Sequence, residues 1–275
     1  MTPRIGYALR EQNRGLLDDP AIDAVEFTFE RADDPLRSQR YLADAEFPYV
    51  SVHALKLSVA SPDPPARAYL AGLREIAIEN DASAVSDHLG FTRDCYSGID
   101  LGHFAPPPYT LPSLETVCRN IDAVMRYLGD LPFYLENIAY DFVWRGTMSE
   151  AEYLSRVLSR TGCGWLLDIT NVYANAVNHG YDARAFIEEV VPFASRMQIH
   201  LAGGFFDPTS QMYVDSHSEP IPAEVWQLYG FALERAGERI DSVFIERDDN
   251  FPTEQGWRDE VRQARRIAEG IEVST

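Results

Sequence analysis

The chain has 275 residues, 45% hydrophobic and 24% charged, a composition that excludes a disordered chain and suits one large α/β domain over residues 1–275. Its formal charge of −19 argues against nucleic acid as a partner, because a duplex-binding surface needs a basic stripe to displace counterions. No apolar run is long enough to span a bilayer and the N-terminus lacks a signal-peptide pattern, so a cytoplasmic protein without membrane contact is expected.

In chain order, apolar runs of strand length fall at Ile5–Leu9, Ala24–Phe29, Tyr49–Leu55, Ala84–Gly90, Phe133–Asn137, Trp165–Asn171, Met197–Ala202 and Ser242–Glu246. Between them lie amphipathic helical patterns at Pro65–Glu79, Leu114–Leu128, Glu150–Ser159, Ala183–Val190, Glu224–Ala236 and Glu254–Glu269. Ser113, Ser149 and Thr253 stand where helices should start, and Gly129, Gly162, Gly237 and Gly270 where they should stop. Eight strands alternating with helices predict a closed parallel (β/α)8 barrel. No GxGxxG or GxxxxGK[ST] follows the first strand, which removes the main support for a nucleotide-binding sheet. Two long irregular stretches, Arg93–Pro112 and Phe205–Pro222, follow strands, where a barrel places its active-site loops.

The cysteines Cys95, Cys118 and Cys163 form no CxxC, which excludes a zinc ribbon or a disulfide scaffold. Cys118 lies in a helical pattern and Cys163 in a helix-to-strand turn, both structural positions, while the role of Cys95 in its loop stays open.

Chemistry collects at the C-terminal ends of the strands: His53, His88, Glu136 with Asn137, Asp168 with Asn171 just beyond, His200 and Glu246. On the loop after His200, Asp215 and His217 are two residues apart and share a side of an extended segment. One such residue is an ordinary capping or hydrogen-bonded group. Together in one barrel mouth, the carboxylates would repel one another and lose hydration at a cost of about several kcal/mol per ion unless cations compensated. The donors are nitrogen and oxygen without thiolate, which suits iron, manganese or zinc. They outnumber the needs of a single ion, so two or three ions are expected, with Glu136 or Asp168 able to bridge a pair. His103 reads as a surface or lid residue, His179 as a structural turn residue, and Asp87, opposite in parity to His88, as a supporting group.

The ordered series Val52-His53, Ser86-Asp87-His88-Leu89, Leu135-Glu136-Asn137, Asp168-Ile-Thr-Asn171, Ile199-His200-Leu-Ala-Gly203, Asp215-Ser-His217 and Ile245-Glu246-Arg247-Asp248 resembles the multinuclear non-haem iron-dependent oxidative enzymes. That family includes the iron oxidase of methanobactin biosynthesis and the thiaglutamate-biosynthesis enzyme. The resemblance implies a TIM-type, xylose-isomerase-like barrel holding two or three irons in mixed Fe(II)/Fe(III) states, with dioxygen as cosubstrate. It implies oxidative modification of a residue, cysteine foremost, in a ribosomally made precursor peptide, with a partner protein presenting the peptide. Carried over by position, the metal ligands would be His53, His88, Glu136, Asp168, Asn171, His200, Asp215, His217 and Glu246. The loop Gly102–Tyr109 departs from the family pattern, which leaves the peptide and product open.

Rival readings are a trinuclear zinc phosphodiesterase resembling apurinic-site endonucleases, which the charge disfavours, and a divalent-metal sugar isomerase, which usually needs a catalytic lysine. The only lysine is Lys56. A non-catalytic metal-binding scaffold is the reading from outside enzymology.

Overall fold

A strand in a closed barrel must satisfy two environments, because alternate side chains enter the barrel and the packed layer beneath the helices. The runs of this chain meet both demands. In the computed structural model, which describes residues 2–33, 41–42, 45–93 and 99–270, the strands in chain order are β1 (Arg4–Ala8), β2 (Ala24–Thr28), β3 (Tyr49–His53), β4 (Ala84–His88), β5 (Phe91–Arg93), β6 (Asp100–Ala105), β7 (Phe133–Glu136), β8 (Gly164–Asp168), β9 (Met197–Leu201), β10 (Phe205–Asp207), β11 (Met212–Val214) and β12 (Ile240–Ile245). Eight of them close a barrel in the order β1-β12-β9-β8-β7-β4-β3-β2, with every neighbouring pair parallel. The expected barrel is therefore the observed one. The two irregular stretches are not wholly irregular: β5 pairs with β6 and β10 with β11 as antiparallel hairpins.

The helices are α1 (Phe29–Ala32), α2 (Arg67–Glu79), α3 (Leu111–Leu128), α4 (Glu150–Thr161), α5 (Ile169–His179), α6 (Ala183–Val190), α7 (Ala223–Ala236) and α8 (Glu254–Ala268). Ser149 and Thr253 cap α4 and α8 as expected, accepting from the backbone N–H of Glu152 (3.1 Å) and Gly256 (3.2 Å). The start of α3 differs. Its cap is Thr110, which accepts from Ser113, so Ser113 lies inside the first turn.

The sixth run is also shorter than its sequence suggests. Trp165–Asn171 splits after Asp168, and Asn171 lies in α5 rather than in a strand. The cause is local: Asp168 Oδ1 accepts the Asn171 N–H at 2.7 Å and so opens the helix, despite the strand-like apolar residues around it.

The large core contains Val25, Val52, Trp165, Ile199, Val243 and their helix partners. A second cluster of Ala24, Tyr49, Ala84, Tyr134, Leu166 and Phe244 is offset from these by one strand residue and plugs the barrel interior. On the same parity, two residues beyond these, stand Glu26, Glu136, Asp168 and Glu246, and four residues beyond them His53 and His88; His200 joins the ring two residues past the inward Gln198 of β9, so the apolar plug becomes the floor of a polar mouth. Tyr134 needs room at that floor, and Gly164 supplies it: a Cβ there would stand 2.4 Å from the Tyr134 ring.

Phe244 is fully buried in the plug, its ring centroid 6.4 Å from Tyr49 and 6.2 Å from His200. Phe244→Ala should lower the unfolding free energy by about 3–5 kcal/mol through the cavity it leaves. Urea denaturation followed by circular dichroism checks this, and an unchanged midpoint would contradict the plug's role.

Candidate metal centre

All nine side chains singled out by the sequence converge on one end of the barrel. Seven of them form three groups of closely placed donors: His53, His88 and Glu136; Glu136, Asp168 and His200; Asp168, His217 and Glu246. Within each group one donor atom per residue lies within 4.8 Å of the others. Glu136 belongs to the first two groups and Asp168 to the last two. Asp215 stands 2.8 Å from His217 Nε2, and Asn171 lines the same cavity of about 520 Å³.

The distances describe donor atoms around shared gaps. Glu136 Oε2 is 3.5 Å from His53 Nε2 and 3.4 Å from His88 Nε2, while its Oε1 is 3.5 Å from His200 Nδ1. Asp168 Oδ2 is 3.9 Å from His200 Nδ1 and 3.6 Å from His217 Nε2. Glu246 Oε2 faces His200 Nδ1 at 3.2 Å and His217 Nδ1 at 3.3 Å. Glu136 Oε2, Asp168 Oδ2, Asn171 Oδ1 and His200 Nδ1 are all buried without a hydrogen-bond partner, while Asp215 Oδ1 and His217 Nε2 have only each other. Each such atom costs about 1–3 kcal/mol, more if charged, unless something fills the gap. Cations held between these oxygen and nitrogen donors would satisfy them together, so the residues fit a multinuclear metal centre.

The ring orientations come from groups behind the centre. His53 Nδ1 bonds Ser86 Oγ at 2.8 Å and turns Nε2 to the gap. Asp87 lies on the opposite parity, accepts the backbone N–H of Leu57 (2.8 Å), and approaches His88 Nδ1 at 3.3 Å. Glu26 Oε1 is 2.7 Å from His200 Nε2, which leaves His200 Nδ1 for the centre. Asn137 ties β7 to β8: its Oδ1 accepts the N–H of Asp168 (3.1 Å) and its Nδ2 donates to the Asp168 carbonyl (2.9 Å). The backbone of His217 is left-handed, with φ 49°, and Asp248 N–H holds it by donating to its carbonyl at 2.8 Å. The returning loop passes so close that a Cβ on Gly203 would lie 2.1 Å from the Glu219 carbonyl oxygen.

Charge follows from burial. Desolvation holds the His53 imidazole down at about 3, against the upward pull of Glu26, so it presents a neutral ring. Desolvation also works against protonation of His88, His200 and His217, but their surrounding carboxylates outweigh it and raise all three. Burial pushes the Asp168 carboxyl up to about 8, with His217 opposing and Asp215 adding to the rise.

Glu26 and Arg10 escape strand-end inspection. Glu26 sits in the middle of β2, and Arg10 lies two residues past β1 in a stretch with no neighbouring ligand motif. Their only sequence signal is the parity and position of their strands within the barrel. The other histidines fall outside the donor groups. His103 is exposed on β6 and lines the mouth of the cavity. His179 ends α5, stacks on Tyr140 at 4.8 Å and bonds the Tyr140 carbonyl oxygen at 2.9 Å, a structural role. Cys118 and Cys163 are buried, and Cys95 lies outside the described residues.

Residues 4–269 match the family described as RiPP precursor modification enzyme MbnB/TglH/ChrH. A UPF0276 protein of Rhizorhabdus wittichii is 38% identical over 274 residues, covering 96% of this chain and 94% of its own. Another from Caulobacter vibrioides is 35% identical over 254 residues, covering 90% and 88% respectively. Among solved structures, L-ribulose 3-epimerase has a TM-score of 0.60 at 16% identity, covering 98% of each chain. A xylose isomerase-like TIM barrel protein from Mycobacterium smegmatis in complex with magnesium gives 0.60 at 14%, again over 98% of each. At these identities the structural likeness is one of fold alone.

Cation binding should release protons. His88, His200, His217 and Asp168 all hold protons more tightly in the metal-free site than they do in water, and a cation must displace them. Affinity should therefore rise with pH, including through the region of the Asp168 value of about 8, as these protons are lost. Calorimetric titration in buffers of different ionisation enthalpy measures the protons released; a pH-independent affinity without proton release would contradict this electrostatic account.

Proposed function

The chain belongs to the MbnB/TglH/ChrH family of RiPP precursor modification enzymes, and we propose that it uses two or three irons and dioxygen to oxidise a cysteine in a ribosomally made precursor peptide. The observation that carries this reading is the sharing of Glu136 and Asp168 between three adjoining donor groups. A carboxylate common to two groups can bridge two ions and hold them close enough to act on one substrate. Histidine and carboxylate donors without thiolate suit iron, and the carboxylates favour its higher oxidation states.

The ligands in this proposal are His53, His88, Glu136, Asp168, Asn171, His200, Asp215, His217 and Glu246. Bound iron would supply the Lewis acidity that holds a thiolate and the redox chemistry that activates dioxygen. The protein's own residues set the conditions. Ser86, Asp87 and Glu26 fix the faces that His53, His88 and His200 present. Burial of Glu136, Asp168 and His200 keeps bulk water from the inner side of the centre, so a reactive species is shielded there. On the outer side Phe104 stacks on His88 with ring centroids 3.6 Å apart and forms an apolar wall. The cavity of about 520 Å³ can take a side chain with its flanking backbone.

The loops following β7 and β9 expose Phe142, Val143, Trp144, Phe205 and Phe206 on the same end of the barrel. Exposed apolar side chains near an active-site mouth support a partner protein that presents the peptide. No helix among the described residues is long and apolar enough to cross a membrane.

The test begins with protein purified anaerobically with iron supplied, analysed for metals and by Mössbauer spectroscopy. It continues with a cysteine-containing precursor peptide, assayed by mass spectrometry with and without dioxygen. A coupled iron pair and an oxygen-dependent mass change are expected. Stoichiometric zinc that iron cannot displace would move the assignment to a hydrolase. Asp168→Ala and His200→Ala should each lower the metal bound per chain and abolish peptide modification; full turnover in either would sink the shared-centre proposal.

A further inference from the structure

Beside the donor groups lies a buried positive charge. Arg10 is 3% exposed, its backbone N–H donates to Asn13 Oδ1 at 2.7 Å, and its Nη1 donates to the Leu9 carbonyl at 3.1 Å. The rest of the guanidinium grips two acids. Nη2 donates to Glu246 Oε1 at 2.7 Å, and both Nε (3.0 Å) and Nη2 (2.8 Å) donate to Asp248 Oδ1. This leaves Glu246 Oε2 as the oxygen that faces His200 and His217. It also holds Asp248, whose Oδ2 stays 3.9 Å from His217 Nδ1.

A fixed cation next to a cation-binding centre opposes loading, so Coulomb attraction to metal gives no reason for its presence. Its geometry does. A carboxylate with both oxygens free can chelate a metal ion through both, and a second acid nearby can add another donor. The guanidinium is a planar fork with fixed donor directions, able to occupy one oxygen of Glu246 and one of Asp248 together.

We propose that Arg10 is a positioning residue that confines Glu246 to one-oxygen ligation and keeps Asp248 outside the ligand set, preserving an open coordination position at the His217 end of the centre. An open position is what a metal needs to accept substrate or cosubstrate, so the residue acts on reactivity through Glu246 rather than by touching substrate. The inference rests on the metal reading above.

Cobalt(II) titration of metal-free protein tests it, because visible d–d bands weaken as coordination number rises. At equal cobalt stoichiometry, Arg10→Gln should weaken the bands and tighten the most affected ion by roughly 10- to 100-fold. A change of that size is usual for residues behind a ligand, but its sign is opposite here, because the substitution removes a positive charge and frees Glu246 Oε1. Arg10→Lys retains the positive charge but replaces the fork with a single point, so affinity should stay near the native value while the bands shift partway. Bands in Arg10→Gln identical to the native ones would overturn the proposal, as would loss of an ion from a variant that remains folded. If Arg10→Gln does not fold, Arg10→Lys decides alone, and native bands there overturn it. Failure of the native chain to bind cobalt overturns the metal reading and this proposal together, and is seen before any variant is titrated.

Discussion

The rest of the site depends on the burial of Glu136 and Asp168 where each must face two groups of donors at once. Two carboxylates removed from water, with one oxygen each unpartnered, are a heavy electrostatic load for a protein interior. The surrounding side chains do not relieve it by direct hydrogen bonding. They stand around gaps instead, with imidazole nitrogens and carboxylate oxygens separated by 3.4–3.9 Å across the Glu136 and Asp168 contacts. An interior built only for stability would close these gaps with an apolar layer like the one immediately below. The polar layer persists above a packed plug, which separates the two requirements along the barrel axis.

That separation follows from strand parity. On β9, Gln198 and His200 enter the barrel while Met197, Ile199 and Leu201 pack beneath the helices. The same step of two lifts Leu166 to Asp168 on β8, Tyr134 to Glu136 on β7 and Phe244 to Glu246 past β12. Barrel closure then brings residues far apart in the chain into one ring. His53 and His88 come within 4.7 Å of each other, and His53 within 5.5 Å of His200, measured between ring centroids. The solved epimerase barrels share the fold but do not by that likeness share a chemistry; the side chains grafted at the strand ends decide it.

The residues behind the centre do as much to define it as the donors themselves. Glu26, Ser86, Asp87 and Arg10 each occupy one atom of a donor side chain and so determine which atom remains for the cavity. Asn137 fastens the two strands that bring Glu136 and Asp168 side by side. The left-handed backbone at His217 shows the same priority of site over local comfort, because a histidine there is held against its ordinary conformational preference.

Much of this was legible in the amino-acid order alone. Alternating apolar runs and amphipathic stretches fixed the barrel, and the ordered recurrence of His53, His88, Glu136, Asp168, His200, Asp215-x-His217 and Glu246 identified the mouth, because a period of two and a strand end are local properties. Local signals failed where two agreed with different structures: Trp165–Asn171 carries strand-like side chains, yet Asp168 caps a helix that begins inside that run. Only the tertiary structure decided how the donors divide into three groups and which carboxylates are shared, since those facts depend on strand tilt and barrel closure. It alone joined Glu26 to His200 across 174 positions of chain and Arg10 to Glu246 across 236. Such pairings are set by the geometry of the closed ring, for which one residue's sequence neighbours carry no signal.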